Sequence, residues 1–356
     1  PTLLCCGMAE AQAKESGLME AGSLHVITGA GAARLQSLPA GSEVKVMSFN
    51  LERGYDPEAA VEFLKKQDAD VLLLQELDSG CKRTGGRNIT QVLADSLGMS
   101  GLFVVEFEEL DSPKRSARKA GGGVHGNAIL TRLPFTERGV VPHTVEFDWV
   151  EYGQGDGEPR KGRRVAVWAD IAVWQDQAPV RFISAHLENK CGHRGRARQF
   201  AELMPLVSDG QAAVVGGDLN TLLHGVVRFD FVTQPADSRL LGMGLTEAQW
   251  FEKMFFSEPE SEQEQSDREN LWSDLLPDVD QSHFRAMTRF RDAFDKKRDC
   301  TLDHTTNWKL WFRSFLYNGK LDWLLFSADK LDCTAHAVVP SGTSDHCAVS
   351  STLHML

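Results

Sequence analysis

Ala212-Ala213-Val214-Val215-Gly216-Gly217-Asp218-Leu219-Asn220 is a short apolar run that stops abruptly on an acid and an amide. A run this short, rich in valine and closed by glycine, reads as a buried strand. Its polar end lies where the loops of packed sheets gather and sites form. The same arrangement recurs along the chain. Asn50 and Glu52 follow Val46-Met47-Ser48-Phe49, Glu76 follows Leu72-Leu73-Leu74-Gln75, and His186 follows Phe182-Ile183-Ser184-Ala185. Asp322 precedes Trp323-Leu324-Leu325-Phe326, and Asp345-His346 precedes Cys347-Ala348-Val349. One such residue is a turn; six on separate strands point to a shared site.

Other segments fill in around these runs. Residues 57–67 carry apolar positions at helical spacing, with Pro57 suited to a first turn. Residues 88–97 read as a helix stopped by Gly98, and 196–207 as a third helix. Strands are predicted at 44–49, 71–74, 102–107, 127–130, 165–174, 180–185, 212–215, 323–326 and 348–353. Strands and helices mixed without strict alternation predict two packed sheets with outer helices. Residues 1–42, rich in Gly, Ala and Ser, are expected to form a leader, partly helical and partly disordered. The rhythm breaks at about 222–320. There the acidic run 257–270, with Glu258, Glu260, Glu262, Glu264, Asp267 and Glu269, is expected to be a solvated, mobile loop. Trp308, Trp311, Phe312 and Phe315 follow at helical spacing. They read as a helix packed on the body, or as a lip touching substrate or a membrane surface.

The chain has 356 residues, beyond the length of about 250–300 at which one core usually stops growing. Its 38 Lys+Arg against 50 Asp+Glu give a net charge of −12. That argues against a general nucleic-acid coat, but not against an enzyme with local basic patches. No apolar run approaches the roughly 18 residues of a membrane helix. Seven scattered Cys with no CxxC make neither a disulfide framework nor a structural zinc site. Cys81 and Cys191 each lie five residues after a site anchor, Glu76 and His186, and are either a pair or two free thiols. The stretch Thr2-Leu3-Leu4-Cys5-Cys6 reads as the tail of a clipped export or lipoprotein signal, or as an ordinary trimmed start. The compartment stays open.

The chemistry of the six strand ends fits phosphoester cleavage. Carboxylate and amide oxygens suit Mg²⁺, which polarises a phosphoryl oxygen and steadies a leaving oxygen. A His held by a carboxylate activates water or donates to phosphate. No GxSxG nucleophile competes. Asn50 with Glu52, Leu74-Gln75-Glu76, Ser184-Ala185-His186-Leu187, Gly217-Asp218-Leu219-Asn220, Leu321-Asp322-Trp323 and Ser344-Asp345-His346 together resemble the endonuclease/exonuclease/phosphatase superfamily, the deoxyribonuclease-I-like fold. The resemblance covers about residues 43–356. It implies one catalytic domain carrying an insertion at about 222–320, built as a four-layer α/β/β/α sandwich.

The resemblance also implies roles. Glu76 would be the principal Mg²⁺ ligand, with Mn²⁺ as substitute, and Asn50, Glu52 and Asp345 would lie beside the metal or its waters. Asp218 would orient or deprotonate the attacking water, and Asn220 would bind the scissile phosphate. His346 would contact the phosphate with its ring fixed by Asp322, and His186 another phosphate oxygen. The base, Asp218 or His346, is left open. Asn127 is read as pointing into the cleft or as a structural amide, and Arg164 as a phosphate contact or part of a solvated loop. His125 and Arg83 are lesser loop candidates. Three basic clusters, Lys114/Arg115/Arg118/Lys119, Arg160/Lys161/Arg163/Arg164 and Lys190/Arg194/Arg196/Arg198, would focus an anionic substrate. The leading expectation is a metal-dependent phosphodiesterase or nuclease-like hydrolase acting on nucleic acid or nucleotide. The alternative is a phosphomonoesterase or lipid phosphoesterase acting on sugar phosphates or lipid headgroups. A non-catalytic binding module ranks last, because none of the six motifs is broken. No obligate protein partner is implied.

Overall fold

A computed structural model describes residues 19–30, 35–155, 157–207, 210–221, 246–277, 280–295, 299–302 and 319–356. Two mixed sheets lie face to face. The first holds β1 (Leu24–Thr28), β2 (Val44–Arg53), β3 (Val71–Ser79), β4 (Ser100–Glu109), β5 (Val124–Thr131), β7 (Arg160–Gly162), β13 (Leu331–Val339) and β14 (Ala348–Met355). Its order is β1-β4-β5-β3-β2-β14-β13, with β7 on β4. The second holds β6 (Phe135–Pro142), β8 (Val165–Ile171), β9 (Val180–His186), β10 (Ala213–Asp218), β11 (Phe290–Asp292) and β12 (Asp322–Ser327), in the order β11-β12-β10-β9-β8-β6. Between them the inward side chains of alternate strand positions interlock: Val46, Leu73, Val104 and Ile129 meet Val167, Phe182, Val214 and Leu324.

The outer face of the first sheet is covered by α1 (Pro57–Gln67) and α2 (Ile89–Leu97). Asn88 caps α2 by accepting from the Gln91 amide, and Gly98 ends it in the left-handed region at φ 63°. The second sheet is covered by α3 (His193–Ala201), α4 (Met204–Val207), α5 (Glu247–Phe255), α6 (Glu262–Leu275) and α7 (Gln281–Arg285). This is the four-layer α/β/β/α sandwich, and it settles why Gly216 and Gly217 stand together. A Cβ on Gly216 would lie 2.6 Å from Leu73 of the facing sheet, and one on Gly217 1.8 Å from the Ala185 carbonyl oxygen. Only glycine lets β10 run this close to its neighbours.

Three expectations change. Part of residues 1–42 is built into the domain, since β1 pairs antiparallel with β4 and buries Ile27. The helix expected at 196–207 is two, α3 and α4, because Pro205 has no N–H to donate back to the preceding turn. The acidic run is no loop but largely α6. Ser261 caps it, acids in the first turn suit the helix dipole, and Arg268 pairs with Glu264 at 2.9 Å one turn away. Its apolar side buries Trp272, stacked 4.9 Å from Phe284. Trp272→Ala is therefore expected to cost about 3–5 kcal/mol in urea unfolding, whereas a solvated loop would lose almost nothing. Of the two readings of Cys81 and Cys191 the unbridged one holds, each thiol donating to a backbone carbonyl, Val124 and Glu188. The Trp308 to Phe315 stripe lies outside the described residues. No helix among the described residues is long and apolar enough to cross a membrane.

Candidate active site

The register of the second sheet sets three site residues in one row. Asp218 sits opposite His186 across the parallel β9–β10 pair and opposite Asp322 across the antiparallel β10–β12 pair. In the first sheet Asn50 sits opposite Gln75, one residue before Glu76. The β2–β3 register then slips between Asn50 and Arg53, and the β3–β5 register between Leu74 and Leu77. At these bulges Glu52, Arg53 and Glu76 take φ of 46°, 69° and 56°, and Asn220 takes 54° on the loop after β10. Each such conformation costs about 1–3 kcal/mol and is held only by its surroundings. Three of the four belong to the strand-end set, and the bulges re-aim Glu52 and Glu76 out of the strand alternation.

The sheets are stitched at this edge. Gln75 Nε2 donates to Ser184 Oγ (3.0 Å), which donates to the Leu74 carbonyl (3.2 Å). Ser344 Oγ donates to the Asn50 carbonyl at 2.7 Å, docking the Asp345-His346 turn on β2. Asn50 Nδ2 donates to Asp218 Oδ2 at 3.0 Å and to Glu76 Oε1 at 3.4 Å, linking the two halves of the site.

Asp218 is the centre. Its Oδ1 accepts from the Asn220 backbone amide at 2.9 Å, while Oδ2 lies 3.4 Å from His186 Nε2 and 3.7 Å from His346 Nε2. The two imidazoles differ in charge. His346 Nδ1 donates to the buried Asp322 Oδ2 at 2.8 Å. Burial opposes its charge, but Asp322 and Asp218 outweigh burial and hold His346 protonated well above the usual imidazole range. His186 Nδ1 instead accepts from Arg164 Nη1 at 2.8 Å. A guanidinium has no acceptor, so the ring proton of His186 lies on Nε2, toward Asp218. Burial and Arg164 push His186 well below its ordinary value, so it is neutral. Asp218 is pushed up by burial and by Asp322, against the pull of His346.

Glu52, Glu76 and Asp345 crowd a second face. Burial raises Asp345, His346 opposes it, and the charges of Glu52 and Glu76 add to the rise. Burial would raise Glu76 too, but the charges of Arg53 and Arg164 hold it well below the carboxylate range. Three carboxylates and the Asn50 amide oxygen form a hard-oxygen set that fits a divalent cation. Asp218, Asp322 and His346 also bring ligand atoms within 4.8 Å of one another. That trio fits a metal less well, because a protonated imidazole already bonded to Asp322 has no lone pair to give.

Several candidates sit elsewhere than expected. Asn127 is fully buried and donates to the Val165 carbonyl at 3.0 Å, bridging the sheets rather than facing the cleft. Arg164 is also buried, between Glu106 (3.3 Å), Glu188 (3.7 Å) and His186, so it fixes a ring and does not reach a solvent phosphate. His125 and Arg83 converge on Asp78 at 2.9 and 2.6 Å beneath the site. The basic clusters are largely spent on acids: Arg115 on Glu109, Arg118 on Glu52, Lys119 and Arg160 on Glu158, Arg196 on Glu247 and Arg198 on Glu146. Two residues were missed. Arg53, 3.9 Å from Glu76 and bonded to both Glu158 oxygens, adjoins a motif residue and its charge was the available signal. Glu106, pushed up to about 7 by burial against Arg164, lies inside a strand and gave none.

These buried acids set a pH dependence. Asp78 and Glu109 are held below their ordinary values and Glu158 is held at about 2; burial opposes this in each, and Arg83, Arg160 and Arg53 respectively outweigh it. Folded values below unfolded ones give stability that is present above about pH 4 and lost as the pH falls further. Glu106 has the opposite sign: its contribution is full below about pH 4 and is lost as the pH rises through about 7. Asp218 and Asp345, raised to about 7 and about 6, share the sign of Glu106, while the neutral His186 has the opposite one. Urea midpoints are expected to fall steeply below pH 4. A midpoint still rising at pH 3 would contradict the ion-pair network.

The model of the Endonuclease/Exonuclease/phosphatase family matches residues 47–346, from β2 to His346. The chain belongs to this family. It is a hydrolase of phosphoric esters. Among solved structures it is similar to an endonuclease/exonuclease/phosphatase from Beutenbergia cavernae, with 17% identity and a TM-score of 0.56 over 88% of this chain and 72% of that one. It is also similar to the human Nocturnin catalytic domain with bound sulfate, with 14% identity and a TM-score of 0.50 over 89% and 95%. A Bacteroides vulgatus family member shares 15% identity at a TM-score of 0.50 over 88% and 100%. No curated protein matches the chain.

Proposed function

We propose that this family member is a Mg²⁺-dependent phosphodiesterase or nuclease-like hydrolase, with Mn²⁺ as substitute. The observation that carries the reading is Asp218 Oδ2 set between one charged and one neutral imidazole, 3.7 and 3.4 Å away. Glu76 would hold the cation, with Asn50, Glu52 and Asp345 beside it. Bound there, the ion polarises the phosphoryl oxygen and neutralises charge on the leaving oxygen.

The chain's own groups do the rest. Asp218 orients the attacking water and takes its proton; an acid raised above its ordinary value is a stronger base near neutral pH. His346 is already protonated, so it acts as donor to a phosphoryl oxygen and not as the base. Asp322 keeps it charged. His186 offers its Nε2–H to another phosphoryl oxygen, and Arg164 keeps the proton on that nitrogen. Asn220 binds the scissile phosphate. The donors are fixed before substrate arrives, so little reorganisation is needed as charge develops.

Purified protein with Mg²⁺, tested on plasmid DNA, RNA, bis-p-nitrophenyl phosphate and p-nitrophenyl phosphate, decides the matter. Diester turnover that EDTA stops is expected. Turnover of the monoester alone would replace this reading with a phosphomonoesterase, and no EDTA-sensitive turnover would overturn it.

A further inference from the structure

We propose that Arg118 is the resident counter-cation of the carboxylate face, displaced from Glu52 when a divalent ion binds and then turned onto a substrate phosphate. The proposal rests on the metal assignment given above. Arg118 lies on a short turn, Ala117–Lys119, between β4 and β5. Its Nη2 donates to Glu52 Oε1 at 2.7 Å, with the Arg118 side chain 64% exposed and that of Glu52 only 15%. The turn is tethered and the head is not enclosed. Tyr55 Oη donates to the Arg118 carbonyl at 2.7 Å, and the guanidinium rests 4.7 Å from the Tyr55 ring centre. The next residue, Lys119, pairs with Glu158 at 3.1 Å, which holds Arg53 beside Glu76. One turn therefore reaches two of the three proposed ligand carboxylates, Glu52 directly and Glu76 through two charges.

A guanidinium stays charged at any working pH, so it and a divalent ion repel one another at Glu52. An ion pair this exposed is weak and gives way to a ligated ion. The released guanidinium is a planar fork that suits phosphate oxygens, and Tyr55 keeps it at the mouth of the site.

Calorimetric Mn²⁺ titrations of the wild type, R118A, R118K and E76Q separate the possibilities, with KM for bis-p-nitrophenyl phosphate measured at saturating Mn²⁺. R118A is expected to bind Mn²⁺ about fivefold more tightly, the size of an exposed pair. Its KM is expected to rise about tenfold, a charge-assisted phosphate contact being lost. R118K, which keeps the charge but not the fork, should bind Mn²⁺ like the wild type and still show a raised KM. E76Q reads the underlying assignment separately and should lose Mn²⁺ binding. E76Q that binds like the wild type overturns the metal assignment, and the exchange with it. If E76Q fails to bind while R118A matches the wild type in Mn²⁺ affinity or KM, the exchange alone is overturned.

Discussion

Glu76→Gln is expected to lower phosphodiester turnover by about 10³-fold, in the range of a lost fixed charge-stabilising group, while leaving the urea midpoint close to that of the wild type. The side chain stands where β3 bulges at φ 56°, between the Asn50 amide and Arg53, and the charges of Arg53 and Arg164 keep it ionised. A fixed negative charge is what a hard cation needs and what a neutral amide of the same shape lacks. Stability should survive, because Arg53 retains both bonds to Glu158 and Gln can still accept from Asn50. Activity with both Mg²⁺ and Mn²⁺, followed beside urea denaturation, separates the two effects. An unchanged rate would remove Glu76 from the metal face.

Asp322→Asn is the second large effect, about 10²–10⁴-fold in kcat by analogy with other carboxylate–imidazole pairs. Asp322 is fully buried, and the charge it supplies is the main support of the protonated His346 ring. The amide keeps the shape and removes the charge. His346 then becomes neutral, and its remaining proton is placed by whichever end of the amide faces Nδ1. With the carbonyl end facing, the proton stays on Nδ1 and Nε2 loses its donor; with the NH₂ end facing, Nε2 keeps a proton but the ring carries no charge. Either way the phosphate loses a cationic donor. Ring nitrogen NMR at pH 7.5 checks this directly: imidazolium is expected for His346 in the wild type and neutral imidazole in D322N. An imidazolium in both would show that Asp322 does not hold the charge.

What the sequence revealed follows a physical rule. Strand ends were legible because burial forces apolar runs and a site forces polar breaks in them, so Asn50, Glu76, His186, Asp218 and Asp322 stood out. Helix α2 was legible because Asn88 and Gly98 punctuate it chemically. Arg164 was found, but not its task, because sequence position does not show which partner a long side chain reaches once two sheets close on it. Glu106 was hidden for the same reason: it lies within a strand with no break around it. The acidic helix α6 was misread because composition weighs charge and ignores spacing. Glu264 and Arg268 stand four apart, as do Arg268 and the buried Trp272. The edge strands β6 and β13 escaped because exposed edges need no apolar alternation.

The central claim is that a divalent cation belongs to the carboxylate face and phosphoester chemistry to the Asp218 face beside it. Anomalous diffraction from crystals soaked in Mn²⁺ tests it most directly. The expected result is a peak bounded by Glu76, Glu52, Asp345 and Asn50, absent in E76Q. A peak confined to Asp218, Asp322 and His346, or none at all, would contradict it.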